Sequence, residues 1–159
     1  MQKTSISAEE IGTVIVSFGG EAVAGADHWR LEISEELVIT ISHSTEDAKL
    51  ILAAVLGEPD PIATEPVLHL MAGFNGLADM TGPMAVSLDP ETDILSLSAW
   101  IPLAGLEASA IETITADFAM RAMMLSRAAA DGDPDDEIIE TDAAAIHATS
   151  HEEEVVVRV

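Results

Sequence analysis

The side chains that could do acid–base or metal chemistry near neutral pH are five histidines and a large set of carboxylates. The chain has 29 acidic residues, 6 basic residues and no cysteine, which excludes thiol catalysis, disulfides and Cys-ligated zinc. The histidines are scattered along the sequence at His28, His43, His69, His147 and His151. No phosphate-binding loop, dinucleotide fingerprint or serine-hydrolase elbow accompanies them. The sequence therefore predicts neither a catalytic site nor a cofactor.

Two segments near the end of the chain carry metal-ligand residue types. His147 and His151 stand four residues apart, which would place them on one face of a helix beside Glu152. A site with two histidines and no further ligand is weak. The run from 131 to 136 resembles the opening of a calcium loop, but it lacks the glycine at position six and the final bidentate glutamate. We therefore interpret both segments as a solvated acidic tail and predict no metal site.

The charge balance excludes several classes of partner. A formal net charge of -23 disfavours nucleic acid and anionic membranes, which attract clustered Lys and Arg. No apolar run approaches the ~18 residues of a membrane span, and the N-terminus lacks the apolar core of an export signal. A hydrophobic content of 48% is nevertheless too high for a disordered chain. We expect a globular cytoplasmic domain.

Composition divides the chain into a body, residues 1–130, and an acidic tail, residues 131–159. The tail holds ten acidic residues and one basic residue, Arg158, and opens with the breaker sequence Asp-Gly-Asp-Pro. It offers too little apolar surface to offset its ordering entropy, so we predict that it is disordered. Its Val155–Val157 run could dock as an edge strand.

Helices and strands alternate along the body in an order that predicts an α+β domain. Ser7 and Glu10 form a capping box before a short amphipathic helix. Period-two alternation predicts two hairpins, residues 29–42 and 84–102. Helices are predicted near 64–74 and 107–129, and the segment 49–57 suits either a helix or a doubly buried strand.

The second hairpin carries a family resemblance. The sequence from Met84 to Leu103, with its Leu-Asp-Pro-Glu-Thr turn and Pro-Leu ending, resembles the hairpin of class I type III secretion chaperones, the CesT/Tir chaperone family. The central helix running into Phe74-Asn75-Gly76-Leu77 is similar to the corresponding helix of that family. The resemblance spans residues 5 to 128 and implies that 49–57 is a strand. The implied order is α-β-β-β-α-β-β-α, an antiparallel sheet with helices packed on one side.

The resemblance also implies a function and two surfaces. Such chaperones are homodimers in the bacterial cytoplasm that bind an extended N-proximal segment of a secreted effector protein. The matching effector-binding candidates lie in the first helix and the strands after it: Ile11, Val14, Ile15, Phe18, Leu31, Ile33, Val38 and Ile41. The matching dimer-interface candidates lie in the central helix and second hairpin: Leu70, Met71, Phe74, Leu95, Leu97, Ala99, Trp100 and Ile101. An export-apparatus ATPase is a further candidate partner.

Residues outside the apolar stripes favour a binding protein independently of the resemblance. Val16, Val38, Ile94 and Trp100 lie off the predicted core faces, which suggests apolar patches that another chain covers. An acidic adaptor of similar fold that binds a folded protein is the main alternative. An enzyme or metal protein using His69, His147 and His151 is a weaker one. The sequence leaves open which effector is bound, the organism and the role of the tail.

Overall fold

The computed structural model describes residues 6–23, 27–59 and 64–131. Four helices and six strands follow one another in these ranges. Their order is α1 (Ala8–Ser17), β1 (Glu21–Ala22), β2 (His28–Glu32), β3 (Val38–Ser44), β4 (Lys49–Gly57), α2 (Thr64–Gly76), α3 (Ala78–Thr81), β5 (Met84–Leu88), β6 (Leu95–Pro102) and α4 (Ala108–Asp131). The tail and the Val155–Val157 run lie outside the described residues.

All neighbouring strands are antiparallel and form one sheet in the order β1-β2-β3-β4-β6-β5. Alternate side chains of the strands point to a single core, which contains Ile39, Leu52 and Leu97, all completely buried. Helix α4 lies against β4 and packs on α1, so these two helices cover the core face. The α+β fold with helices against one face of an antiparallel sheet, as predicted, is confirmed.

The segment that the sequence left between helix and strand is strand β4. It pairs with β3 on one side and β6 on the other. It is buried on one face only, because Val55 on the other face is 58% exposed, so the expectation of a doubly buried strand was wrong. Its register shifts between Val55 and Gly57, where Gly57 takes a φ of 106°. The carbonyl of Leu56 at this bulge accepts a hydrogen bond of 2.8 Å from the Ser126 hydroxyl, which fixes α4 over the sheet.

Helix α1 begins at the predicted capping box. The Ser7 hydroxyl accepts from the Glu10 backbone N–H at 3.2 Å, and the Glu10 carboxylate accepts from the Ser7 N–H at 3.0 Å. Donation to the Glu10 carboxylate by the Ser7 backbone N–H, and secondly by the Ser7 hydroxyl at 2.9 Å, lowers the pKa of Glu10. One turn later Gly12 lies against Trp29, where an added Cβ would stand 3.0 Å from the indole Nε1. The missing side chain lets α1 lie directly on β2.

The turn between β5 and β6 has a physical reason for its Asp-Pro-Glu-Thr sequence. The Asp89 carboxylate accepts from the Glu91 backbone N–H at 2.9 Å, an Asx-type turn. This bond, followed by one from Thr92, lowers the pKa of Asp89. The Asp89 carbonyl accepts from the Asp93 N–H at 2.8 Å, and Asp93 has a φ of 54°. An aspartate tolerates that left-handed conformation better than most residues.

Two short elements were not predicted from the sequence. Strand β1 has two residues, too few for an alternation pattern, and it pairs with β2 through Glu21 and Ala22. Helix α3 is a single turn held by the Leu77 carbonyl, which accepts from the N–H groups of Met80 and Thr81. Within the described part of the chain, no helix is long and apolar enough to span a bilayer.

Candidate functional site

An apolar groove runs between the end of α1, the end of β2 and the outer flank of α4. We call it the α1–α4 groove. Its volume is about 480 Å³. Its lining consists of Phe18, Leu31, Glu32, Ile33, Glu112, Thr115, Ala116, Ala119, Met120 and Met123. Most of these side chains are apolar, and Met120 is 53% exposed, so the groove offers uncovered hydrophobic surface.

Two carboxylates stand among the groove residues, Glu32 from β2 and Glu112 from α4, and both are exposed. The Arg30 guanidinium lies 3.8 Å from the Glu32 carboxylate, on the strand side. This ion pair is solvent-exposed on both partners and contributes little free energy. Because the whole chain is strongly acidic, a ligand with a basic side chain beside an apolar one would match this groove.

The groove lies beside a free length of strand edge. Strand β1 pairs with β2 at Trp29 and Arg30, and the Val23 N–H donates to the His28 carbonyl, so this pairing stops short of Glu32. In an antiparallel ladder the main-chain groups of alternate residues point to opposite sides. The Ile33 N–H donates inward to Leu37, so the N–H and C=O of Glu32 point to the outer edge. No described residue hydrogen-bonds to them.

The opposite edge of the sheet is closed by a side chain. The Asn75 amide of α2 donates to the Val86 carbonyl and accepts from the Val86 N–H, both at 2.9 Å. The amide thus makes the two bonds that a neighbouring strand would make at that position of β5. Strand pairing at Val86 is blocked, a protection that natural sheets commonly use at their edges.

The sheet face opposite the core also carries apolar side chains. We call it the outer face, and it includes Val38, Thr40, Ser42, Ile51, Ala53, Val55, Ser96, Ser98 and Trp100. Ile51 and Trp100 are cross-strand partners at its centre. Val55 is 58% exposed and Trp100 44%. The exposure of Trp100 and Val16 agrees with the sequence-based expectation that both lie off the core.

The predicted effector-binding residues divide between core and surface. Ile11, Ile15 and Ile41 are completely buried, and Leu31 is 7% exposed. These four side chains support the fold, and only Leu31 reaches the groove lining. Phe18 and Ile33 are partly exposed and lie in the groove. Two others are also partly exposed, Val14 on α1 and Val38 on the outer face.

The predicted dimer-interface residues divide in the same way. Leu95, Leu97, Ala99 and Ile101 are buried on the core face of β6, so in this fold they are unavailable to a partner. Trp100 is on the other face of the same strand. The three candidates on α2, which are Leu70, Met71 and Phe74, are partly buried against the core.

The contribution of α4 to the groove was missed by the sequence reasoning. Helical spacing in the sequence predicts a buried stripe on α4 made of Ile111, Ile114, Phe118, Ala122 and Leu125. The structure buries all of them except Ile114, which is partly buried. Ala116, Met120 and Met123 lie beside the stripe, and they form the α4 wall of the groove. A signal was available in the sequence, because methionines 120, 123 and 124 lie outside the predicted buried stripe of this helix. Large apolar side chains outside that stripe indicate a second apolar surface.

The histidines do not assemble into a reactive group. His28 and His69 are exposed, and His69 lies outside the core, with its Nδ1 3.1 Å from the Glu65 carbonyl. His43 is largely buried, with its Nδ1 3.5 Å from the Asp27 carboxylate. Among the described residues, no three His, Cys, Asp or Glu side chains are placed to hold a metal ion. His147 and His151 lie outside the described ranges.

Solved structures with a similar fold include the ExsC–ExsE complex and a chaperone–effector complex. The ExsC–ExsE complex matches with a TM-score of 0.61 and 18% identity, over 77% of this chain and 92% of that chain. The HopA1–SchA chaperone–effector complex matches with a TM-score of 0.58 and 12% identity, over 77% and 98%. YbjN, a putative transcription regulator from E. coli, matches with a TM-score of 0.55 and 14% identity, over 79% and 94%. A search of curated protein sequences returns no match.

The chain therefore shares with these structures an α+β fold, here a six-stranded antiparallel sheet with helices over one face. The sequence identifies the family directly. A model of the Tir chaperone protein (CesT) family matches residues 11–125, and the chain belongs to this family. The resemblance carried by the second hairpin and the central helix is confirmed.

Proposed function

We propose that this protein is a type III secretion chaperone. It binds an extended N-proximal segment of a cognate effector and keeps that segment soluble and competent for secretion. The observation that carries the proposal is the α1–α4 groove, an exposed apolar surface directly beside the unpaired main chain of Glu32. Membership of the Tir chaperone family supports it. No catalytic step and no cofactor enter the proposal.

The groove and the free edge suggest how the segment is held. A client strand can pair with β2 beyond the start of β1, through the main-chain groups of Glu32. Its apolar side chains would then enter the groove between Phe18 and Met120. Basic residues beside those anchors would approach Glu32 and Glu112. Since the client orders as it binds, several such contacts are needed for useful affinity.

The proposal is tested with a panel of fluorescently labelled synthetic peptides that carry Leu, Ile or Phe anchors flanked by Lys. We expect saturable binding to the full chain, measured by fluorescence anisotropy. Met120→Glu places a charge in the groove and should weaken binding at least about tenfold. Met124→Glu is the matched control, because Met124 is 40% exposed on the same helix but does not line the groove. Equal loss in both variants, or no binding at all, contradicts the proposal.

Salt separates this proposal from the acidic-adaptor alternative. Attraction led by exposed charges is strongly screened at about 0.5 M salt, where the Debye length is only a few ångströms. Binding led by the apolar groove should persist under those conditions. Release of the whole panel on raising the salt would favour the adaptor.

We also propose that the chaperone is a homodimer whose interface includes Trp100. This residue joins Ile51 at the centre of the outer face, and buried tryptophans commonly dominate interface energetics. The partly exposed α2 residues Leu70, Met71 and Phe74 are retained as further candidates. The export-apparatus ATPase stays a candidate partner that the family membership suggests.

Light scattering after size exclusion tests the dimer. We expect a mass of about twice 16.7 kDa for the wild type. Trp100→Asp should shift the mass towards the monomer without unfolding the chain, because the indole lies outside the core. Val16→Asp is the control, since Val16 is 55% exposed on α1. A wild-type monomer, or a Trp100→Asp dimer, contradicts this assignment.

A further inference from the structure

Two thioether side chains, Met120 and Met123, form part of the α4 wall of the α1–α4 groove. Met120 is 53% exposed and Met123 is 36% exposed, so solvent reaches both side chains. The chain has no cysteine, and its methionines are therefore its only sulfur-containing residues. A peroxide that enters the groove meets thioethers that it can oxidise to sulfoxides. The binding surface of the proposed function is thus also an oxidisable surface.

The other methionines of the described ranges lie outside this groove. Met80 on α3 is 74% exposed and Met124 on α4 is 40% exposed, and neither lines the groove. Met84 on β5 is buried, and Met71 on α2 is partly buried against the core. Exposed thioethers therefore occur both inside and outside the groove. An effect of the groove pair can for this reason be separated from general oxidation of the protein surface.

We propose that Met120 and Met123 form an oxidation site through which a peroxide blocks client binding to the groove. A lone pair of the methionine sulfur attacks one peroxide oxygen, so that an S–O bond forms and the O–O bond breaks. The sulfur is oxidised by two electrons, the peroxide is reduced, and a proton shift leaves a sulfoxide and one water molecule. The inference rests on the proposed function, because it names how binding at that same site is regulated.

A sulfoxide changes the chemical character of the groove wall. A thioether is flexible and apolar and adapts to client anchors of several shapes, whereas a sulfoxide is polar. Covering its oxygen with an apolar anchor costs free energy unless a donor bonds it. The charged residues of the lining, Glu32 and Glu112, are carboxylates, which cannot donate a hydrogen bond to the new oxygen. Oxidation should therefore weaken the contact between α4 and an apolar anchor.

Occupancy of the groove should decide whether these thioethers react. A client anchor that packs between Phe18 and Met120 covers the α4 wall and excludes peroxide from it. Met80 lies on α3, away from the groove, and should react equally in the empty and the occupied protein. A peroxide therefore modifies the empty chaperone and spares the loaded one. It prevents new clients from binding without releasing clients that are already bound.

The test treats the full chain with hydrogen peroxide and locates each sulfoxide by peptide mass spectrometry. Fluorescence anisotropy then measures affinity for a labelled peptide with Leu anchors and Lys flanks. One double variant, Met120→Leu with Met123→Leu, removes the groove thioethers. The matched control, Met80→Leu with Met124→Leu, removes exposed thioethers that do not line the groove. Each protein is compared with its own untreated form, so a difference in starting affinity does not enter the comparison.

We expect peroxide to weaken peptide binding at least about fivefold in the wild type and in the matched control. The double variant without groove thioethers should change by less than about twofold on the same treatment. Methionine sulfoxide reductases of both stereospecificities should restore the affinity of the oxidised wild type, because each reduces one sulfoxide epimer. Saturating peptide present during treatment should slow oxidation of Met120 and Met123 and leave the rate at Met80 unchanged.

The outcomes separate this inference from the proposed function. Affinity that persists after Met120 and Met123 are oxidised overturns the inference alone. An equal loss in the double variant without groove thioethers overturns it too, because another residue would then be responsible. Oxidation of the groove pair that bound peptide does not slow contradicts the protection of loaded chaperone. An untreated wild type that binds no peptide overturns the proposed function together with the inference.

Discussion

The two edges of the sheet are treated in opposite ways. At the β5 edge the Asn75 amide bonds both main-chain groups of Val86, so a strand cannot add there. At the β2 edge the two-residue strand β1 begins opposite Arg30 and leaves Glu32 uncovered. The uncovered residue also lines the α1–α4 groove, whereas the closed edge lies under helix α2.

This difference indicates that exposure of the β2 edge is selective. Unpaired strand edges promote aggregation, and proteins commonly block them by charge, bulges or covering elements. Here one edge is blocked at Val86 by a single side chain, and the other leaves Glu32 unpaired next to an apolar groove. A free edge of this length supports a few main-chain hydrogen bonds, so affinity depends on the groove. Edge and groove therefore act as one site in the proposed function.

The largest expected effect comes from blocking the open edge. Glu32→Pro removes an outward-pointing N–H that no described residue uses, so the fold should tolerate it. If a client strand pairs at this position, affinity for the peptide panel should fall about tenfold to a hundredfold. Fluorescence anisotropy measures the affinity, and circular dichroism checks the fold.

Glu32→Ala is the matched control for the proline variant. It removes the same carboxylate but keeps the N–H, so it should lose only the charge contribution at the groove mouth. Binding that is equally weak in both variants would show that the carboxylate matters and the edge does not. If both variants bind the peptides as tightly as the wild type, the strand edge at Glu32 is not part of the binding site.

Opening the closed edge should have a smaller effect. Asn75→Ala leaves the N–H and C=O of Val86 without their side-chain partner and should lower the free energy of unfolding by about 1–2 kcal/mol. The bared strand should also promote self-association at high protein concentration. Urea denaturation measures the first change and sedimentation velocity the second. Asn75→Asp keeps an acceptor for the Val86 N–H but loses the donor, so it should lie between Ala and the wild type at pH 7.

Much of the fold could be predicted because its signals are local. The capping box of α1, the alternation in β6 and the Asx turn at Asp89 each depend on neighbours within a few residues. The resemblance then settled strand β4, whose apolar run does not distinguish a helix from a doubly covered strand.

The site was less predictable because it depends on contacts between distant segments. Alternation places Leu97 and Trp100 on opposite faces, but only the packing of α4 decides which face becomes core. Met120 and Phe18 line the same groove although about a hundred residues separate them in sequence.

The smallest expected effect tests how firmly α1 supports the open edge. Ser7→Ala removes the hydroxyl that accepts from the Glu10 N–H and should lower the free energy of unfolding by about 1 kcal/mol. Phe18, which lines the groove, follows the last turn of α1, so a frayed helix should also weaken peptide binding slightly. Thr13→Ala is the control, because Thr13 lies on the exposed side of the same helix.

The Glu10 carboxylate makes the stabilisation from the α1 cap depend on pH. The folded state lowers the pKa of Glu10, mainly through the Ser7 backbone N–H, so its stabilisation is present above the unfolded pKa, near 4.5. It is lost as the pH falls through the folded value. Glu10→Gln keeps the acceptor oxygen without the charge, so the wild type should be more stable at pH 7 and the difference should vanish in acid. Asp89 and the other carboxylates are present in both the wild type and Glu10→Gln, so their titration cancels in the comparison. If the difference in free energy of unfolding between the two proteins stays constant with pH, the charge of Glu10 does not contribute to the cap.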